Sequence, residues 1–189
     1  MKKLFLLLII AVVGIAFLSC SDNFNNTIVT TSNDFENLTK SAPHSFNIYT
    51  WLQTSRLIDG SIGCDFIYDT TFVSAQGKEI NVYARLKIEP GSFIGRTEII
   101  MIPNIENLSV KLFPEMTFNK EVKLTLIFTG IEVTTFGYKT TGPVDFAYFS
   151  NFGDMELIES DISHVSLPQD QIKVLNARLN HFSRYGWVR

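Results

Sequence analysis

His181, Phe182 and Ser183 stand in a row near the end of a 189-residue chain, and their types could do chemistry. If Asn180–Arg189, NHFSRYGWVR, is a strand, residues i and i+2 share a face about 6.6–6.8 Å apart along its axis. His181 and Ser183 then lie together, with Phe182 turned to the opposite face. The imidazole can take the Ser183 hydroxyl proton while the oxygen attacks the Phe182 carbonyl, and the ester so formed hydrolyses. Self-cleavage of this kind needs a distorted peptide, and it would free only Ser183–Arg189. The plainer reading makes the segment the closing strand of a β fold, with Phe182 and Val188 packed inward and His181 and Arg184 as satisfied edge groups. The plainer reading is adopted, and self-cleavage at Phe182–Ser183 is kept as an alternative.

Other chemistry finds little support in the chain. The three histidines are His44, His164 and His181, and none has a second His, Cys or carboxylate at a metal-ligand spacing. Asp161 and His164 form an i, i+3 pair in a loop-like stretch, too weak a pattern for a metal site. No paired carboxylates suggest glycoside hydrolysis. GSIG (Gly60–Gly63) and GYKTTG (Gly137–Gly142) lack the Gly-Lys-Ser/Thr of a phosphate loop. No cofactor or metal is therefore expected. The formal net charge is −3 with no basic patch, which argues against a nucleic-acid partner. Phenylalanine far outnumbers tyrosine, and Trp51 and Trp187 are the only tryptophans. That balance suits core packing better than sugar platforms, so carbohydrate binding is a second alternative.

The elements that must position these residues read as strands. In EINVYARLKIEPG, Ile80, Val82, Ala84, Leu86 and Ile88 alternate with Asn81, Tyr83, Arg85, Lys87 and Glu89. This is a strict period of two, with one buried and one wet face, and Pro90-Gly91 ends it. EVKLTLIFTG repeats the pattern, with Val122, Leu124, Leu126 and Phe128 inward. TEIIMIP (Thr97–Pro103) is apolar on both faces and suggests a central strand. LSVKLFP, VDFAYFS, DMELIES and DQIKVLN are further candidates, and no stretch carries a 3.6-residue amphipathic repeat over three turns. Many short strands between turns predict an all-β sandwich. Cys64, in IGCDFIY, is expected to be a buried thiol rather than a reactive one.

The N-terminus carries Lys2 and Lys3 and then an unbroken apolar run, Leu4–Leu18. As a helix the run is about 22 Å long against about 30 Å of bilayer hydrocarbon, which suits a signal peptide better than a permanent span. Phe17-Leu18-Ser19-Cys20 resembles the lipobox of bacterial lipoproteins, whose cysteine is lipidated and becomes the new N-terminus. The resemblance implies a signal peptide over 1–19, a membrane anchor at Cys20 and a place in the cell envelope. Ser21 after the cysteine permits outer-membrane sorting under the enterobacterial rule. Residues 20–45, rich in Asn, Thr, Ser and Asp, read as a flexible tether. A sandwich domain is expected over 46–189. Loss of Lys2 and Lys3 makes the mature chain more acidic and leaves Cys64 as the only unmodified cysteine, which excludes an internal disulfide.

Two segments carry a second resemblance. Ile88-Glu89-Pro90-Gly91-Ser92-Phe93, followed by a Thr-containing strand, and Phe113-Pro114-Glu115-Met116-Thr117-Phe118-Asn119-Lys120-Glu121-Val122 resemble the ZU5 domain and its bacterial relatives. Glu89 and Glu121 stand where that family has prolines, and Phe113 where it has a glycine. The closing His181–Tyr185 is similar to an H-F-S-R-Y segment of the bacterial relatives. The likeness spans Arg56–Arg189 and implies a β-sandwich with scaffolding, self-association or partner-binding roles. Some eukaryotic relatives cut themselves in a His-Phe-Ser motif, which is what the likeness adds to the alternative at Phe182–Ser183. The expected function is a non-enzymatic structural or interaction module, lipid-anchored through Cys20, with an envelope protein or a glycan as its partner.

Overall fold

A computed structural model describes residues 52–74, 76–150 and 152–188. The proposed signal peptide, Cys20, the tether, His44 and Trp51 lie outside the described residues. Within them the chain is all-β: twelve strands in two antiparallel six-stranded sheets. They are β1 (Thr54–Asp59), β2 (Cys64–Val73), β3 (Glu79–Ile88), β4 (Arg96–Asn104), β5 (Ser109–Phe113) and β6 (Thr117–Thr129). After one 3-10 turn at Val133–Phe136 come β7 (Gly142–Pro143), β8 (Phe146–Phe149), β9 (Met155–Leu157), β10 (Ile162–Ser166), β11 (Gln171–His181) and β12 (Arg184–Trp187). One sheet runs β1-β4-β5-β12-β8-β9 and the other β2-β3-β6-β11-β10-β7.

The period-two segments form the centre of the second sheet. Val82, Ala84 and Leu86 of β3 and Val122, Leu124, Leu126 and Phe128 of β6 are wholly buried. They pair in register, Val82 opposite Phe128 and Leu86 opposite Leu124. The first sheet answers with Ile99, Met101, Val110, Leu112, Phe146 and Tyr185. Alternation forces this result, because the polar residue between each apolar pair keeps the other face wet.

One feature breaks the simple pattern. β11 bulges between Val174 and Ala177, where Asn176 takes a φ of 53°. Its side chain donates to Asp161 Oδ2 at 2.8 Å and its backbone N–H to Thr125 Oγ1 at 3.3 Å. One extra residue reverses the alternation, so Ile172 and Val174 before the bulge and Ala177 and Leu179 after it all face the core. The predicted segment Asp170–Asn176 therefore ends where the strand in fact continues to His181.

The segments around Pro90-Gly91 and Thr117–Lys120 meet in space. Lys120 Nζ donates to the Pro90 carbonyl at 2.7 Å, and the Asn119 N–H to the Ser92 carbonyl at 2.8 Å. The Phe93 and Phe118 rings lie 6.5 Å apart, and Phe118 stands edge-on to Phe182 at 4.6 Å. This line of rings ties the Pro-Gly turn to the His181–Ser183 region.

Candidate functional site

The His-Phe-Ser triplet is not one strand. His181 is the last residue of β11 in one sheet, and Arg184 the first of β12 in the other. Phe182 and Ser183 carry the chain across between them. Phe182 is buried, its N–H donates to the Met116 carbonyl, and the Ser183 carbonyl accepts from the Leu112 N–H, each at 2.8 Å. The expectation that His181 and Ser183 share a strand face is corrected here, because between them the chain passes from the β11 ladder of one sheet to the β12 ladder of the other. Neither Phe182 nor Ser183 has a positive φ, and their peptide is not cis.

Two tyrosines from the first sheet hold His181. Its ring stands edge-on to Tyr148 of β8 at 4.6 Å, and Nδ1 lies 3.3 Å from the Tyr185 hydroxyl. The same hydroxyl donates to the His181 carbonyl. Burial raises the Tyr185 phenol above its ordinary value, reinforced by Tyr148 and the Glu156 carboxylate. It therefore stays a donor over the whole neutral range. The hydrogen bond joins β12 to the end of β11, across the two sheets.

A groove of about 510 Å³ opens over this crossing, lined by Glu115, Thr117, Tyr148, Phe152, His181 and Ser183 among others. Its lining includes no lysine or arginine. Phe152, at the tip of the β8–β9 hairpin, is 95% exposed, the one aromatic ring among the described residues that stands mostly in solvent. Ser150 orders this tip, accepting from the Phe152 and Asp154 N–H groups at 3.1 and 2.8 Å. Beyond it, Met155 and Leu157 on the edge strand β9 are 51% and 57% exposed. Phe152 thus borders the groove, while Met155 and Leu157 are exposed on the other face of the same hairpin.

The remaining predicted residues lie elsewhere. His164 sits in β10 opposite Lys173 and Pro143, while the Asp161 carboxylate accepts from Asn176, so the two form no pair. Cys64 opens β2, only half-buried, against the core and beside a hollow of about 280 Å³; the expected full burial is corrected to this half-covered position at a strand end. Trp187 is buried and donates to Ser163 Oγ at 3.1 Å, so it is no sugar platform. Among the described residues no group of three His, Cys, Asp or Glu is placed to hold a metal, and no helix is long and apolar enough to cross a membrane.

Sequence reasoning missed Tyr148, Phe152 and the exposed Met155 and Leu157 of the same hairpin. A usable signal was present: Phe152 lies between Asn151 and Gly153, where a large apolar residue in a turn has no core to enter. Compared with known proteins, the chain matches no family model, no curated protein and no solved structure.

Proposed function

We propose that this protein is a lipid-anchored interaction module of the cell envelope. In this reading Cys20 holds the chain to a membrane, residues 20–45 are the tether, and a ZU5-like sandwich presents a binding face to another envelope protein. The fold relationship draws support from the contact between the two motif segments around Pro90 and Lys120. One observation carries the function: Phe152 stands exposed at the groove on a hairpin tip, and Met155 and Leu157 of the same hairpin are exposed on the outer face of the edge strand. Clustered apolar exposure of this kind marks interaction surfaces. Glycan recognition and self-cleavage are weaker readings, the first because Trp187 is buried, the second because His181 turns to Tyr185 and Tyr148.

The test is a photo-reactive amino acid at Phe152 in living cells. A discrete protein adduct is expected there, and none from the same probe at Ile94, which is similarly exposed on the β3–β4 loop and lines no part of the groove. Equal yields at both positions, or no adduct at Phe152, would refute the module. The anchor is tested separately: Cys20→Ser should abolish acyl labelling and membrane association.

A further inference from the structure

Among the described residues, strand β9 ends the first sheet, paired on one side with β8 alone. The Ile158 N–H donates to the Phe146 carbonyl, and the Ser150 N–H to the Asp154 carbonyl. Between these bonds Tyr148 stands opposite Glu156. In an antiparallel ladder bonded pairs alternate, so the backbone of Glu156 faces β8. The N–H and C=O groups of Met155 and Leu157 then face outward along the open edge. An open edge of this kind is a template for another strand.

The two faces of that edge differ. Glu156 lies in one row with Tyr148 and the buried Tyr185, on the groove side. Met155 and Leu157 share the other face with Phe149 and Ala147. From Asp154 to Ser160 the chain carries Asp154, Glu156 and Glu159 and no lysine or arginine. The nearest basic residue in the sheet, Arg184, lies on the Met155 side, over the Phe149 ring at 5.6 Å. A second copy of this chain is a poor occupant. A two-fold antiparallel pairing centred on this three-residue strand sets Glu156 against Glu156, and like charges directly opposite are destabilising.

Resting on the interaction-module reading, we propose that β9 accepts an extended segment of a partner protein in which apolar and basic residues alternate. The partner's backbone bonds to Met155 and Leu157. Its basic side chain lies opposite Glu156, within reach of the Tyr148 ring for a cation–π contact. Its apolar side chains cover Met155 and Leu157. Pairing supplies affinity, and the charge opposite Glu156 supplies selection.

The probes are two fluorescent seven-residue peptides, alternating Val/Lys and alternating Val/Glu, titrated against the full chain in detergent. The Val/Lys peptide should bind at least about ten-fold more tightly, with hydrogen-exchange protection gained at 155–157. Leu157→Pro removes an outward N–H without touching the β8 ladder, and should weaken binding about ten-fold. Glu156→Lys should invert the preference. Equal affinities for the two peptides, a Val/Lys preference unchanged in Glu156→Lys, or an affinity unchanged in folded Leu157→Pro would overturn the proposal. Should Leu157→Pro not fold, the inversion by Glu156→Lys decides alone. A Phe152 adduct in cells without any peptide preference would leave the module standing and sink strand addition.

Discussion

Replacing Tyr185 by Phe deletes one oxygen atom at the junction of the two sheets. The ring is fully buried, stacked on Phe146 at 6.3 Å, so packing is retained. What disappears is the donor to the His181 carbonyl and the contact with its Nδ1. A typical bond of this kind contributes about 1 kcal/mol net, and an unsatisfied buried acceptor costs about 1–3 kcal/mol. His181 is only half-buried, so water can reach part of the gap. The expected loss at pH 7 is therefore about 1–2 kcal/mol, read from urea denaturation. The pH dependence gives a second, independent signature. Burial raises the folded phenol above its ordinary value of about 10. Its stabilisation is complete below pH 10 and is lost as pH rises from there toward the folded value. The unfolded chain releases the proton first, so stability falls by at most about 1.4 kcal/mol per pH unit from this group. Phe cannot titrate, so the gap between wild type and Tyr185→Phe should shrink by about 1.4 kcal/mol between pH 8 and pH 11. A loss below about 0.5 kcal/mol at pH 7 would refute the reasoning, as would a gap that stays constant up to pH 11.

Three further outcomes are expected. Gly130 has a φ of +80°, and an added Cβ would lie 2.0 Å from the Glu79 carbonyl oxygen; Gly130→Ala should cost more than about 2 kcal/mol in denaturant unfolding. Leu126→Ala, at the wholly buried centre of β6, should cost about 2–5 kcal/mol, whereas Ile94→Ala on its exposed loop should stay within about 0.5 kcal/mol. Intact mass under denaturing conditions should show one species that ends at Arg189; loss of the last seven residues, abolished by Ser183→Ala, would instead establish self-cleavage.

The alternating segments were legible because their information is local. Val82 to Ile88 and Val122 to Phe128 face inward as their period requires, since a residue's face in a strand depends only on its parity. The same locality explains the failure at β11. One extra residue near Asn176 reverses parity, and the sequence beyond it then reads as the end of a strand. At the groove, the chemistry of His181 and Ser183 was visible from residue type. That they do not share one strand was not, because it depends on the chain leaving one sheet between them.

From the sequence alone follow the β class, the inward faces of the regular strands, the turn at Pro90-Gly91 and the resemblance of Phe17–Cys20 to a lipobox. Each rests on neighbours within a few positions. Only the tertiary structure placed β12 between β5 and β8, set the tyrosines against His181, and left Phe152 and β9 at the border of the sheet. Strand order is chosen by contacts between residues far apart in the chain, where the fit of two faces and the closing of one hydrogen-bonded ladder on another decide, and no local pattern encodes that choice.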